Sequence, residues 1–185
     1  LIPRFYDATK GSVQIEGKDV REYSLEELRG KIGMVLQKAV LFKGTIRENM
    51  LWGNENATDE DIMQALEVAQ AKEFVDKKEG GLDFEIEQGG KNLSGGQRQR
   101  MTIARAVVKK PDILILDDSA SALDFATDAA LRKAIGELEG NVTTFLVSQR
   151  ISGIRQADKI LVMDDGELAG QGTHEELMKT CETYQ

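Results

Sequence analysis

Short apolar runs with strand character alternate along the chain with longer stretches in which apolar residues recur every three or four positions. Val13 to Ile15 alternates apolar and polar ahead of Gly17-Lys18-Asp19, and Val20 resumes the pattern, which predicts a short antiparallel hairpin turning at 17–19. Ser24 and Glu27 have the spacing of a capping box and open a short helix. Ile32 to Leu36 reads as a strand ending at Gln37. Thr58 heads a longer helix, because Ile62, Ala65, Leu66 and Ala69 share one helical face. A polar stretch with several glycines, 80–90, leads into Leu93-Ser94-Gly95-Gly96-Gln97. Beyond it a helix rich in Arg and Ala is expected to run to Lys110, where Pro111 stops it.

Ile113 to Leu116 and Val142 to Val147 are continuous apolar runs, as expected of parallel strands covered on both faces. A helix from about Thr127 to Leu138 joins them in a βαβ crossover. A strand at Ile160 to Met163, a turn at Asp164-Asp165-Gly166 and a final helix capped by Thr173 and Glu176 complete the pattern. The class is α/β, with a mostly parallel sheet and an antiparallel edge piece.

Composition narrows the function. With 185 residues and 41% hydrophobic content the chain holds a core of one domain or slightly less. Its apolar runs are far too short to span a bilayer and no cleavable leader is recognisable, so a membrane connection is expected through another segment or chain. A net charge of −8 disfavours a general nucleic-acid binder. Cys181 is the single cysteine, which excludes an intrachain disulfide and fits a reducing cytoplasmic setting.

Two constellations carry chemistry. Adjacent glycines at a helix start, Gly95 and Gly96, let backbone N–H groups approach an anion closely, and Ser94 adds a hydroxyl. The same serine also reads as an ordinary N-cap. Downstream, four aliphatic residues deliver Asp117 and Asp118 to the carboxyl end of a central strand, the usual ligand crevice of such sheets. Acids there can hold Mg²⁺, or can cap the next helix. Gln37, at the end of another strand, reads equally as a surface amide.

Taken together, Gln37, Leu93 to Gln97, Ile113 to Asp118, and Ser121 to Asp124 resemble the Q-loop, signature, Walker B and D-loop of the ABC transporter family. The likeness runs from Leu1-Ile2-Pro3-Arg4-Phe5-Tyr6-Asp7 to Gly172-Thr173-His174-Glu175-Glu176-Leu177. The first of these segments, with 41–49, is similar to the exporter branch. The resemblance implies a P-loop NTPase-like core, with a helical signature subdomain at about 45–105, and residues 1–185 as a single partial nucleotide-binding domain. ATP and Mg²⁺ would be the cofactors. By the same likeness Gln37 would sense metal and γ-phosphate and face transmembrane coupling helices, and Asp117 would hold the metal. Leu93, Ser94, Gly95, Gly96, Gln97 and Asp124 would bind nucleotide, and Asp118 and Gln149 stand in the catalytic positions. The expected location is the cytoplasmic face of the cell membrane.

Three departures shape the reading. No G-x-x-x-x-G-K-[S/T] occurs, so the first strands and the Walker A loop are expected to be missing. Asp118 replaces the family's glutamate and is one methylene shorter, which sets its carboxylate back from an attacking water. Gln149 replaces the switch histidine with an amide that cannot titrate. His174, the only histidine, lies elsewhere and reads as a surface residue. An altered Walker B and switch beside a consensus-type signature imply the degenerate half of a heterodimeric exporter, with a second nucleotide-binding domain as partner. The alternative is a soluble, non-transport ABC ATPase of the chromosome-maintenance or translation-factor kind. It is disfavoured by the acidic balance and by the compact sequence between Gln37 and Leu93. A fragment without activity of its own is the third reading.

Overall fold

The expected hairpin forms in the computed structural model, which describes residues 1–119 and 121–185: β1 (Gln14–Ile15) pairs antiparallel with β2 (Lys18–Asp19). It turns at Glu16 and Gly17, not at 17–19, because the two connecting residues take φ of 53° and 79°. A two-residue hairpin needs positive φ at such positions, which glycine supplies without strain. Asp19 then caps a 3-10 turn, Val20–Glu22, by accepting the Arg21 N–H. Ser24 heads α1 (Leu25–Gly30) by accepting the Glu27 N–H.

The central sheet has the order β3-β6-β7, from β3 (Ile32–Val35), β6 (Ile113–Asp117) and β7 (Thr143–Val147). β3 and β6 are parallel, with Val35 opposite Leu116. Strand β3 stops one residue short of Leu36, which is exposed. One face of the sheet closes over a cluster of Ile15, Val20, Tyr23, Leu28, Ile32, Ile113 and Ile115. Helix α5 (Gly95–Val107) packs on β3 so closely that a Cβ on Gly33 would lie 2.8 Å from the Ala106 carbonyl. This is a contact only glycine permits. The helix ends three residues before Lys110, which takes φ +52°. The residue before a proline is barred from right-handed helix, so Pro111 acts one position early.

Between β3 and α5 lie β4 (Gly44–Thr45), α2 (Ile46–Leu51), α3 (Asp59–Val68), α4 (Lys72–Asp76) and β5 (Glu85–Ile86), with β4 antiparallel to β5. Thr45 and Thr58 each complete a capping box. Ile62, Ala65, Leu66 and Ala69 are buried as their spacing implied, on the helix that packs against α5. After β6, α6 (Phe125–Gly136) begins two residues earlier than expected, with Asp124 as N-cap.

Strand β7 departs from expectation. Phe145 is 39% and Val147 52% exposed, so this apolar run is not covered on both faces. It lies at the end of the β3-β6-β7 order, but β3 at the other end is buried, so what differs is the packing over the faces of β7 and not the number of flanking strands.

The chain divides into two compact units, Leu1–Phe145 and Leu146–Gln185. Within the second, α7 (Ile151–Ile154) precedes a hairpin of β8 (Ile160–Asp164) and β9 (Glu167–Gly172), which turns at Asp165-Gly166 with φ of 44° and 82°. A full capping box from Thr173 and Glu176 opens α8 (His174–Thr180). Ile160, Leu177, Cys181 and Tyr184 form this unit's core. His174 is more than a surface residue: its Nδ1 lies 3.0 Å from the Tyr184 hydroxyl. Among the described residues no helix is long and apolar enough to cross a membrane.

Candidate functional site

The parallel register builds the first part of the site. Val35 faces Leu116, so the residues two steps beyond each, Gln37 and Asp118, emerge side by side at one end of the sheet. The Gln37 amide donates to Asp118 Oδ2 at 3.2 Å. Asp117, the last residue of β6, is half-buried beside it, carried there by Ile113 to Leu116, all of which are buried. Asp118 takes φ +44°, a left-handed conformation that costs a non-glycine residue on the order of 1 kcal/mol and concentrates at functional turns. The turn is held by Ser121, whose hydroxyl and N–H both donate to the Asp118 carbonyl, at 2.9 and 3.3 Å.

The second part is the head of α5. Ser94 Oγ accepts the Gln97 N–H at 3.2 Å, and Gln97 Oε1 accepts the Ser94 N–H at 3.0 Å. This reciprocal box satisfies two donors. It leaves the Gly95 and Gly96 N–H groups, which have no intrahelical partner at a helix start, together with the proton of the Ser94 hydroxyl. The N-cap and anion readings of Ser94 are therefore compatible. Leu93 is buried behind the turn, whereas Ser94 and Gly95 are exposed. A Cβ on Gly96 would stand 3.2 Å from the Ala122 carbonyl, so the α5 head lies against the segment that follows the acid pair.

Asp124, expected to touch nucleotide, has its carboxylate engaged as the cap of α6. It accepts the Thr127 N–H at 3.0 Å and the Thr127 hydroxyl at 2.8 Å, and these bonds hold its carboxyl below the usual range. Gln149 is exposed two residues beyond β7, in the second unit. Arg100, which the sequence did not single out, pins the α5 head: its Nη1 donates to the Gln70 carbonyl at 2.7 Å, and its guanidinium lies 5.0 Å from the Phe74 ring centre. Its spacing from Ser94 carries no cue, since the acceptor is a backbone carbonyl.

Residues 1–121 match the family model described as ABC transporter. The chain belongs to the ABC transporter family. It is 46% identical, over its whole length, to an uncharacterised ABC transporter ATP-binding protein of Mycobacterium tuberculosis (strain ATCC 25618 / H37Rv). It is 43% identical, again over its whole length, to the ATP-dependent lipid A-core flippase of Desulfotalea psychrophila. In both comparisons it spans 32% of the relative. Among solved structures it is similar to a bacterial Atm1-family ABC exporter with ATP bound, with a TM-score of 0.94 and 36% identity over 99% of this chain and 32% of that one. The α/β fold is that of this family's ATP-binding domain.

Proposed function

We propose that residues 1–185 are a partial nucleotide-binding domain of an exporter, and that they lend Ser94, Gly95 and Gly96 to ATP held by a second, different domain of the same kind. The observation that carries the reading is the α5 head, where the capping box leaves two backbone N–H groups and one hydroxyl proton for an anion. When bound, ATP would supply the phosphoanhydride bond whose hydrolysis drives export, and Mg²⁺ would offset its phosphate charge.

In the chain's own site Asp117 would hold Mg²⁺ with Gln37 beside it, and Asp118 would take the catalytic position and support slow turnover; Gln149, in the second unit, takes the switch residue's place in the sequence. No group of three His, Cys, Asp or Glu suited to a cation occurs among the described residues. Mg²⁺ needs only one or two protein carboxylates and completes its shell with water and phosphate, and Asp117 would be the one offered here. Leu93 and Gln97 shape the α5 head, and Asp124 acts as the cap of α6 behind it. Transmembrane segments dock around Gln37, on an apolar face to which Val40, Phe42 and Trp52 contribute at 44%, 43% and 70% exposure. On this reading the domain works at the cytoplasmic face of the cell membrane.

Two measurements test the reading. The purified transporter that carries this chain, with its partner, should hydrolyse ATP and stop when Mg²⁺ is chelated. The 185-residue chain alone should bind Mg-ATP weakly or not at all in titration calorimetry, because it contains no G-x-x-x-x-G-K-[S/T]. Micromolar affinity in the isolated chain would overturn it.

A further inference from the structure

Helix α5 carries Arg98 and Arg105 seven residues apart, hence on one face. Each directs its hydrogen bonds at the backbone of a loop. Arg98 Nη1 donates to the carbonyls of Gly90 and Leu93, at 3.3 and 2.6 Å, in the segment leading to Ser94. Arg105 Nη2 donates to the Val40 carbonyl at 2.8 Å, in the arm that follows Gln37, and its guanidinium lies 5.4 Å from the Phe42 ring centre. The Phe42 ring is in turn 5.1 Å from Trp52.

The two loops are also joined to each other. The Gly89 N–H donates to the Leu41 carbonyl at 3.2 Å, and Gly44 pairs with Ile86. From the other side the buried Asn49 of α2 fixes Phe42, accepting its N–H at 3.0 Å and donating to its carbonyl at 2.9 Å. Arm, pre-signature segment and α5 thus close a triangle, and Arg105 is the side chain that ties the arm to the helix.

Arg105 is an expensive way to make one bond. Its Nη1 is buried without a hydrogen-bond partner, and burial pulls its pKa down with no carboxylate acting against it. An unpaired donor of this kind costs stability, and such violations are retained where a site needs them.

We propose that Arg105 is a positioning residue, which keeps the arm after Gln37 and its Phe42–Trp52 face in register with the helix headed by Ser94, so that movement of that face reaches Ser94, Gly95 and Gly96. The role rests on the function proposed above, in which that face meets transmembrane segments and the α5 head meets ATP.

Arg105→Ala and Arg105→Lys test it by hydrogen–deuterium exchange in the 185-residue chain and by steady-state ATP hydrolysis in the transporter. In Arg105→Ala the amides of 38–43 should exchange about tenfold faster, with those of 95–107 at wild-type rates. Lysine can reach the Val40 carbonyl but lacks the planar fork that lies on Phe42, so it should restore only part of the protection. In the transporter, Arg105→Ala should lower kcat by about tenfold with the KM for ATP unchanged, the size of a lost link between sites. Unchanged exchange at 38–43 overturns the proposal. So does equal acceleration across 95–107, which marks a merely structural residue. Should Arg105→Ala fail to fold, Phe42→Leu removes the ring contacts with Arg105 and Trp52 and keeps the Arg105–Val40 bond, and it must loosen 38–43 to a smaller degree or the proposal falls. A wild-type transporter that hydrolyses no ATP defeats the functional reading, while exchange at 38–43 still decides whether Arg105 tethers the arm.

Discussion

Gly95→Asp separates the stability of this fold from its use of anions. Position 95 is the first residue of α5, and a Cβ there meets nothing nearer than Arg98 Nη2, at 3.9 Å. The substitution therefore costs no packing. An acid in the first turn of a helix complements the helix dipole, and aspartate ranks above glycine in helix propensity, each contributing roughly 0.3–1 kcal/mol. In a chain of 185 residues that gain raises the unfolding temperature by about 2–4 °C per kcal/mol.

For a bound phosphate the same carboxylate acts in the opposite sense. At about 4 Å and the effective dielectric of a protein surface, two negative charges repel by ~4 kcal/mol, which is ~10³ in affinity. Thermal melts of the chain should thus show a fold as stable as wild type or more so, while ATPase assays of the transporter show nearly all activity lost. On the proposed function, the equivalent substitution in the partner's signature should matter far less, because that motif would face the slow site that carries Asp117 and Asp118. Equal losses from the two would refute the asymmetry. Full activity with an intact fold would refute the placement of phosphate at the α5 head.

Asp118→Glu combined with Gln149→His should raise hydrolysis at this chain's own site, by at least about tenfold in single-turnover assays, since positioning the attacking water is worth orders of magnitude; an unchanged rate means that another group limits it. The Arg21 side chain, followed by its N–H, holds the Asp19 carboxyl at about 2 against an ordinary 3.8. The stability it lends is full above the ordinary value and is lost as pH falls through about 2, so Asp19→Asn should flatten the decline in unfolding temperature over that window. An identical slope in both proteins would count against this. The exposed Phe145 and Val147 on the outer strand β7 should make the 185-residue chain self-associate, and Val147→Lys should shift light scattering towards monomer. A wild-type chain that is already monodisperse and monomeric would contradict the expectation.

What the sequence disclosed and what it hid follow from the range over which each feature is decided. Caps at Thr58, Ser94 and Thr173 were legible because donor and acceptor lie within four residues. The Asp124 cap has the same short range, and the Thr127 hydroxyl three residues on was the overlooked cue. The run Ile113 to Leu116 announced a buried strand correctly, yet Phe145 and Val147 of β7 are exposed, since burial depends on neighbours that no local pattern contains. The β4–β5 pairing joins two strands of two residues each, too short to show a period. Gln37 and Asp118 were both singled out, but the bond between them spans 81 positions and exists only because Val35 registers with Leu116.

The arginines of α5 are the limiting case. Arg98, Arg100 and Arg105 read as helix composition, yet each reaches backbone carbonyls, with sequence separations up to 65. Every residue carries a carbonyl, so no residue type at 40, 70 or 90 marks the acceptor. Roles of this kind become visible only once the fold has chosen which carbonyls remain for an arginine to hold.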